Sequence, residues 1–152
     1  MGDAPLAYFF TWTTYGTWLP GDARSWVDGA THQIHFTPDP QREARARAAL
    51  VEPPLTLNLA QRLVVAKVVR DHCRIRGWEL HAVNVRTQHV HVVAGILCAP
   101  AKALAEFKAW ATRRLKESQP TRQHWWTEGG SKQPLWREDE LEAAILYVRD
   151  YQ

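Results

Sequence analysis

Between His81 and Leu97 the chain reads HAVNVRTQHVHVVAGIL, and this run limits the possible folds more than any other. In a strand, alternate side chains share a face, so His89 and His91 point one way while Val90 and Val92 point the other. Trp78 to Val85 reads as a first strand, Arg86-Thr87-Gln88 as a turn, and His89 to Leu97 as the second strand of a hairpin. The valines can enter a core. The two imidazoles can reach one metal ion. The same spacing also suits two ordinary half-buried histidines, the commoner outcome for an isolated His-x-His.

A length of 152 residues suits a single domain, 1–152, with one core. No apolar run approaches the roughly 20 residues of a membrane span. The start, MGDAPLAYFF, lacks the basic end and apolar core of a secretory signal. The two cysteines, Cys73 and Cys98, make neither a CxxC pair nor a disulfide framework. These features together predict a cytoplasmic protein in a reducing setting.

Net charge is only +3, but it is unevenly spread. Arg62, Lys67, Arg70, Arg74 and Arg76 stand against Asp71 in one stretch. Lys102, Lys108, Arg113, Arg114, Lys116 and Arg122 stand against Glu106 and Glu117 in another. Two basic helices fit a polyanionic partner, and they equally fit solvated helix faces. Eight tryptophans make base stacking a possible use for Trp18, Trp125 and Trp126, although packing is the usual role of tryptophan in a small domain.

Leu6 to Thr14 is aromatic and β-branched and predicts a strand. Gln33 to Phe36 is a candidate short strand, and Gln41 to Leu50 a short charged helix. From Asn58 to Arg76 a longer helix is expected, capped by Asn58, ended by Gly77, with Leu57, Ala60, Val64, Val68 and Ile75 as its stripe. Pro100 opens another helix with Leu104, Phe107, Ala111 and Leu115 inward and Lys108, Arg113 and Lys116 outward. His124 to Thr127 and Gln133 to Trp136 predict a hairpin. A last helix begins near Arg137, with Glu138, Asp139 and Glu140 at its start and a stripe of Leu141, Ala144, Ile145 and Val148. Tyr147 lies well off that stripe and Tyr151 nearer to it.

Stripped of insertions, the order is strand, helix, strand, strand, helix, strand, helix. That is an α+β, ferredoxin-like split βαβ pattern with an antiparallel sheet, helices on one face and an appended C-terminal helix bearing the tyrosines. The opposite sheet face is then open to a ligand.

With these motifs assembled, the chain resembles the single-tyrosine HUH transposases, and among them the REP-associated tyrosine transposases. The histidine–hydrophobic–histidine triplet is His89-Val90-His91. Thr13 to Asp22 (TTYGTWLPGD), Phe107 to Leu115 (FKAWATRRL), Trp126 to Ser131 (WTEGGS) and Tyr147 to Gln152 (YVRDYQ) are similar to family segments and fall in the family's order.

The resemblance implies a strand transferase that nicks and rejoins single-stranded, hairpin-containing DNA through a 5′-phosphotyrosine. It implies Tyr147 as nucleophile, with Tyr151 in reserve. It further implies Mg²⁺ or Mn²⁺ held by His89, His91 and Gln152, a homodimer, and a nucleoid-associated location. Lys108, Arg113, Arg114 and Trp18 are the expected DNA contacts. A phenol with an ordinary pKa near about 10 needs activation or close alignment to attack phosphorus, and a divalent cation on the phosphate supplies part of that help. Imidazole ligands favour Mn²⁺ over the oxygen-seeking Mg²⁺. Five residues separate Tyr147 from Gln152, a helical turn of about 140° beyond one full circle, so the two side chains diverge on a regular helix. The alternative from another class is a non-catalytic module that binds single-stranded DNA or a hairpin on the same fold.

Overall fold

The computed structural model describes residues 3–150, so the expectations for Tyr151 and Gln152 lie outside the described residues. Strand β1 (Ala7–Thr13) is followed by an insertion containing the two-residue strands β2 (Trp26–Val27) and β3 (Ile34–His35) and helix α1 (Pro40–Ala48). Then come α2 (Leu59–Arg76), β4 (Glu79–Val85), β5 (His89–Gly95), α3 (Pro100–Leu115), β6 (Ser131–Leu135) and α4 (Glu138–Asp150). The main sheet is antiparallel throughout in the order β4-β5-β1-β6. This is the α+β, split βαβ architecture that the element order predicts.

Local chemistry accounts for the element ends. Asn58 and Gln61 form a reciprocal capping box at the start of α2, and Gly77 closes that helix in a left-handed conformation, φ 71°. Pro100 sits in the first turn of α3. Three acids open α4, where the helix dipole favours them.

α2 and α3 cover one face of the sheet. There Phe10, Trp12, Val90, Val92 and Ala94 meet Val65, Val69, Leu104, Phe107 and Ala111 in the main core. The Trp12 and Phe107 rings stack at 6.0 Å, and Phe10 meets Phe107 edge-on at 5.7 Å. α4 lies on the other face and packs on β4, β5 and β6, so the face left open to a ligand is partly roofed. Its smaller cluster joins Leu141, Ala144 and Val148 to Ala7, Val93 and Leu135.

Three expectations need correction. The buried side of α2 is Gln61, Val65, Val68, Val69, His72 and Cys73, whereas Ile75 is 74% exposed and Ala60 faces solvent. The apolar residues of α2 spread round several faces, and the pairing of His72 Nε2 with Glu106 Oε1 at 2.7 Å lets a histidine occupy the inner one. The late hairpin does not form either: β6 pairs with β1, and Trp126 makes only an isolated bridge to Thr14. Gly130 permits this close approach, because a Cβ there would lie 2.8 Å from the Thr11 carbonyl oxygen and its φ is +150°. Finally, Lys108 does not face outward. Its ammonium donates to the carbonyls of Thr127 and Gly129, fastening the loop before β6.

The edges of the sheet are irregular. β4 shifts register against β5 between Leu80 and Ala82, and β6 places Pro134 opposite Tyr8. Among the described residues, no helix is long and apolar enough to cross a membrane.

Candidate active site

Because β5 runs between β1 and β4, each of its residues has two cross-strand neighbours. Thr13 lies opposite His89, while Thr11 and Asn84 flank His91. Directly opposed residues share a face. The histidine face therefore carries Phe9, Thr11 and Thr13 from β1, His89 and His91 from β5, and Asn84 from β4. Val90 and Val92 turn into the main core, each fully buried, as the alternation predicts.

The two imidazoles stand 4.6 Å apart between ring centroids and are nearly perpendicular, at 80°. His89 is half-buried. His91 is 7% exposed. Burial, followed by the neighbouring His89 and then Arg86, pushes the His91 pKa down to about 4. The ring is neutral at pH 7 and keeps a nitrogen lone pair for a ligand. Thr11 Oγ1 lies 3.0 Å from His91 Nδ1. With Nδ1 engaged there, His91 would ligate through Nε2, and Nδ1–H would then donate to the threonine oxygen.

Tyr147 reaches this face from α4. Its ring centroid is 6.0 Å from that of His91 at 84°, and 6.0 Å from that of Phe9. Phe9 in turn meets the edge of His91 at 5.6 Å. The tyrosine is 47% exposed. Asn84 Nδ2 donates to the Val148 carbonyl at 2.9 Å, tying the last turn of α4 to the strand beside His91.

Of the residues singled out in the sequence, His89, His91 and Tyr147 come together on one sheet face. Lys108, Arg113 and Arg114 do not join them, since α3 packs on the opposite face. Arg113 is exposed and lies over the Trp110 ring at 4.3 Å, and Arg114 pairs with Glu117 at 3.4 Å. Trp18 sits in the loop after β1, where its Nε1 donates to the Ser25 carbonyl at 2.6 Å and Arg24 covers its ring at 3.9 Å. Trp125 is buried, and Trp126 Nε1 donates to Thr112 Oγ1 at 2.9 Å, so both serve packing. His124 stacks on Tyr15 at 5.1 Å.

Sequence reasoning missed Thr11, Thr13 and Asn84. The period-2 alternation of Phe9, Thr11 and Thr13 with Phe10 and Trp12 was the available signal for the first two. Nothing local marked Asn84.

Two neutral-capable imidazoles on one strand, one of them held by a hydroxyl behind it, fit half of a divalent-cation site. Among the described residues, no group of three or more His, Cys, Asp or Glu stands close enough to hold a metal.

No family model matches the sequence, and no curated protein matches it. Among solved structures, the chain is similar to a REP-associated tyrosine transposase bound to a REP hairpin. The TM-score is 0.57 and the identity 12%, over 97% of this chain and 67% of that one. At that identity the likeness is one of fold alone.

Proposed function

We propose that this chain is a metal-dependent, single-tyrosine strand transferase that nicks and rejoins single-stranded, hairpin-bearing DNA. The observation that carries the reading is the meeting of Tyr147 with His91 on the face that holds the histidine pair. A core histidine needs no tyrosine from a separate helix beside it, and a half-exposed tyrosine needs no such partner. The shared fold with a hairpin-bound tyrosine transposase supports the same assignment.

In this reading Tyr147 Oη attacks a backbone phosphorus. The bond formed is Oη–P and the bond broken is P–O3′, leaving a 5′-phosphotyrosine and a free 3′-OH. The phenolic proton lost is balanced by one taken up on the 3′-oxygen. Attack by a 3′-OH reverses the bond without ATP, because the phosphodiester has been exchanged and never hydrolysed.

His89 and His91 would hold Mg²⁺ or Mn²⁺, with Gln152 as a third donor. A divalent cation there neutralises charge on the phosphate oxygens when bound. Thr11 fixes the His91 ring, and Phe9 limits the rotation of both His91 and Tyr147. Arg113, Arg114 and Trp18 act as DNA contacts away from the reacting phosphate. Lys108 contributes by holding the 127–129 loop. The protein works as a homodimer of single-domain protomers in the cytoplasm, at the nucleoid.

The test is incubation with hairpin-bearing single-stranded oligonucleotides and Mn²⁺, read as an SDS-stable protein–DNA band. A band lost in Tyr147→Phe and in His89→Ala, but kept in Tyr151→Phe, is the expected result. Loss only in Tyr151→Phe moves the nucleophile to that residue. Tight hairpin binding with no band from any variant overturns the enzyme reading in favour of a DNA-binding module.

A further inference from the structure

We infer that Asn84 is a positioning residue for Tyr147, fixing the place of the tyrosine helix along the sheet; the inference rests on the strand-transferase reading of the same site. Two kinds of contact hold α4. The first is the stripe of Leu141, Ala144 and Val148 on Ala7, Val93 and Leu135. Such a contact sets the spacing of helix and sheet, but it is non-directional.

The second contact is directional. Val148 follows Tyr147 directly in α4, and its carbonyl accepts from Asn84 Nδ2 at 2.9 Å. Asn84 is half-buried and opposite His91 in the β4–β5 register. One side chain thus connects the strand next to the histidine with the residue next to the tyrosine. A slip of one residue along α4 would move Tyr147 by about 1.5 Å. Displacements near 1 Å at a reacting centre can cost on the order of a hundredfold in rate.

The amide acts by holding α4 in place along β4, and not as a nucleophile or a ligand.

The test uses the full chain as wild type, Asn84→Leu, Asn84→Ser and Asn84→Gln. Leucine keeps the volume and removes the donor. Serine shortens the reach, and covers the case in which leucine fails to fold. Glutamine retains an amide on a longer stem. Three quantities are measured: Kd for a fluorescent single-stranded hairpin oligonucleotide, the single-turnover rate of adduct formation with Mn²⁺, and cross-relaxation between the Tyr147 and His91 ring protons by NMR without DNA or metal.

The expected result is a hairpin Kd within about twofold of wild type, an adduct rate lowered about 10- to 100-fold in the leucine and serine variants, and a lost or weakened Tyr147–His91 cross-peak. Partial recovery of rate and cross-peak is expected with glutamine. An unchanged cross-peak in both the leucine and serine variants overturns the inference, whatever the rate does. A cross-peak lost in the variants, together with a wild type that forms no adduct, sustains the positioning role and overturns the strand-transferase reading instead.

Discussion

The two faces of the sheet are built from the same strands and behave as different materials. Toward α2 and α3, the rings of Phe10, Trp12 and Trp78 gather round Phe107, with the buried His72 at their side. Toward α4, the alternate residues of those strands include Thr11, Thr13, His89, His91 and Asn84, and the apolar contacts are those of the smaller Val93–Val148 cluster and of Phe9 with Tyr147. A single-residue step along β5, from Val90 to His91, crosses from one to the other. The larger apolar cluster lies on the first face, and the polar and titratable side chains gather on the second.

The sharpest way to break that contrast is Phe107→Ala. The side chain is fully buried against several rings, and its loss should lower the unfolding free energy by about 3–5 kcal/mol in urea titrations. Both faces should then melt together, since the sheet is common to them. A loss below about 1 kcal/mol would mean that the ring cluster is not the principal core.

Thr11→Val sharpens the comparison from the other side. It removes the hydroxyl behind His91 Nδ1 while keeping the shape, and it should weaken Mn²⁺ binding about 10- to 100-fold in calorimetry. Unfolding free energy should change by less than about 1 kcal/mol. Unchanged Mn²⁺ affinity would show that His91 does not depend on this contact.

Val148→Ala tests how independently α4 is held. The side chain is fully buried in the smaller cluster, and truncation should cost about 1–2 kcal/mol. In native-state hydrogen exchange, the amides of α4 should open at lower free energy than those of α3, and the variant should widen that gap. Equal protection of both helices would make the two faces one cooperative unit.

The smallest effect concerns acid. The Arg76 guanidinium, and after it the His72 ring, hold the Glu106 carboxyl below the usual carboxylate range. Glu106 therefore takes up its proton at lower pH when folded than when unfolded. Its contribution is present above the unfolded pKa near about 4.3 and is lost as pH falls through the depressed folded value. Stability should fall slightly less steeply below pH 5 in Glu106→Gln than in wild type. Identical acid limbs in thermal scans would remove the pair from the account.

Much of this was legible in the sequence because it is local. The alternation in His89 to Val92 assigns its two faces correctly, and the inner side of α3 follows from Leu104, Phe107, Ala111 and Leu115. What escaped depends on distant pairing. β6 joins β1 rather than its sequence neighbour, and Lys108 turns inward to a loop about twenty residues on. On a helical wheel Tyr147 is merely off the apolar stripe. It meets His91 only because α4 crosses to the histidine face, which the order of elements does not dictate. The roles expected of Gln152 as a ligand and of Tyr151 in reserve fall on residues outside those described.

The two irregular edge strands bear on self-association. An edge presents unpaired backbone groups that a second copy could extend into a continuous sheet. Here β4 carries a register shift near His81, and β6 carries Pro134, which has no amide hydrogen to offer. Both borders resist strand addition, so the protein is guarded against sheet-mediated aggregation and an edge-to-edge dimer is disfavoured. A partner copy is better accommodated by helices and loops, where joining two molecules would leave each sheet, and the spacing of Tyr147 and His91 on it, undistorted.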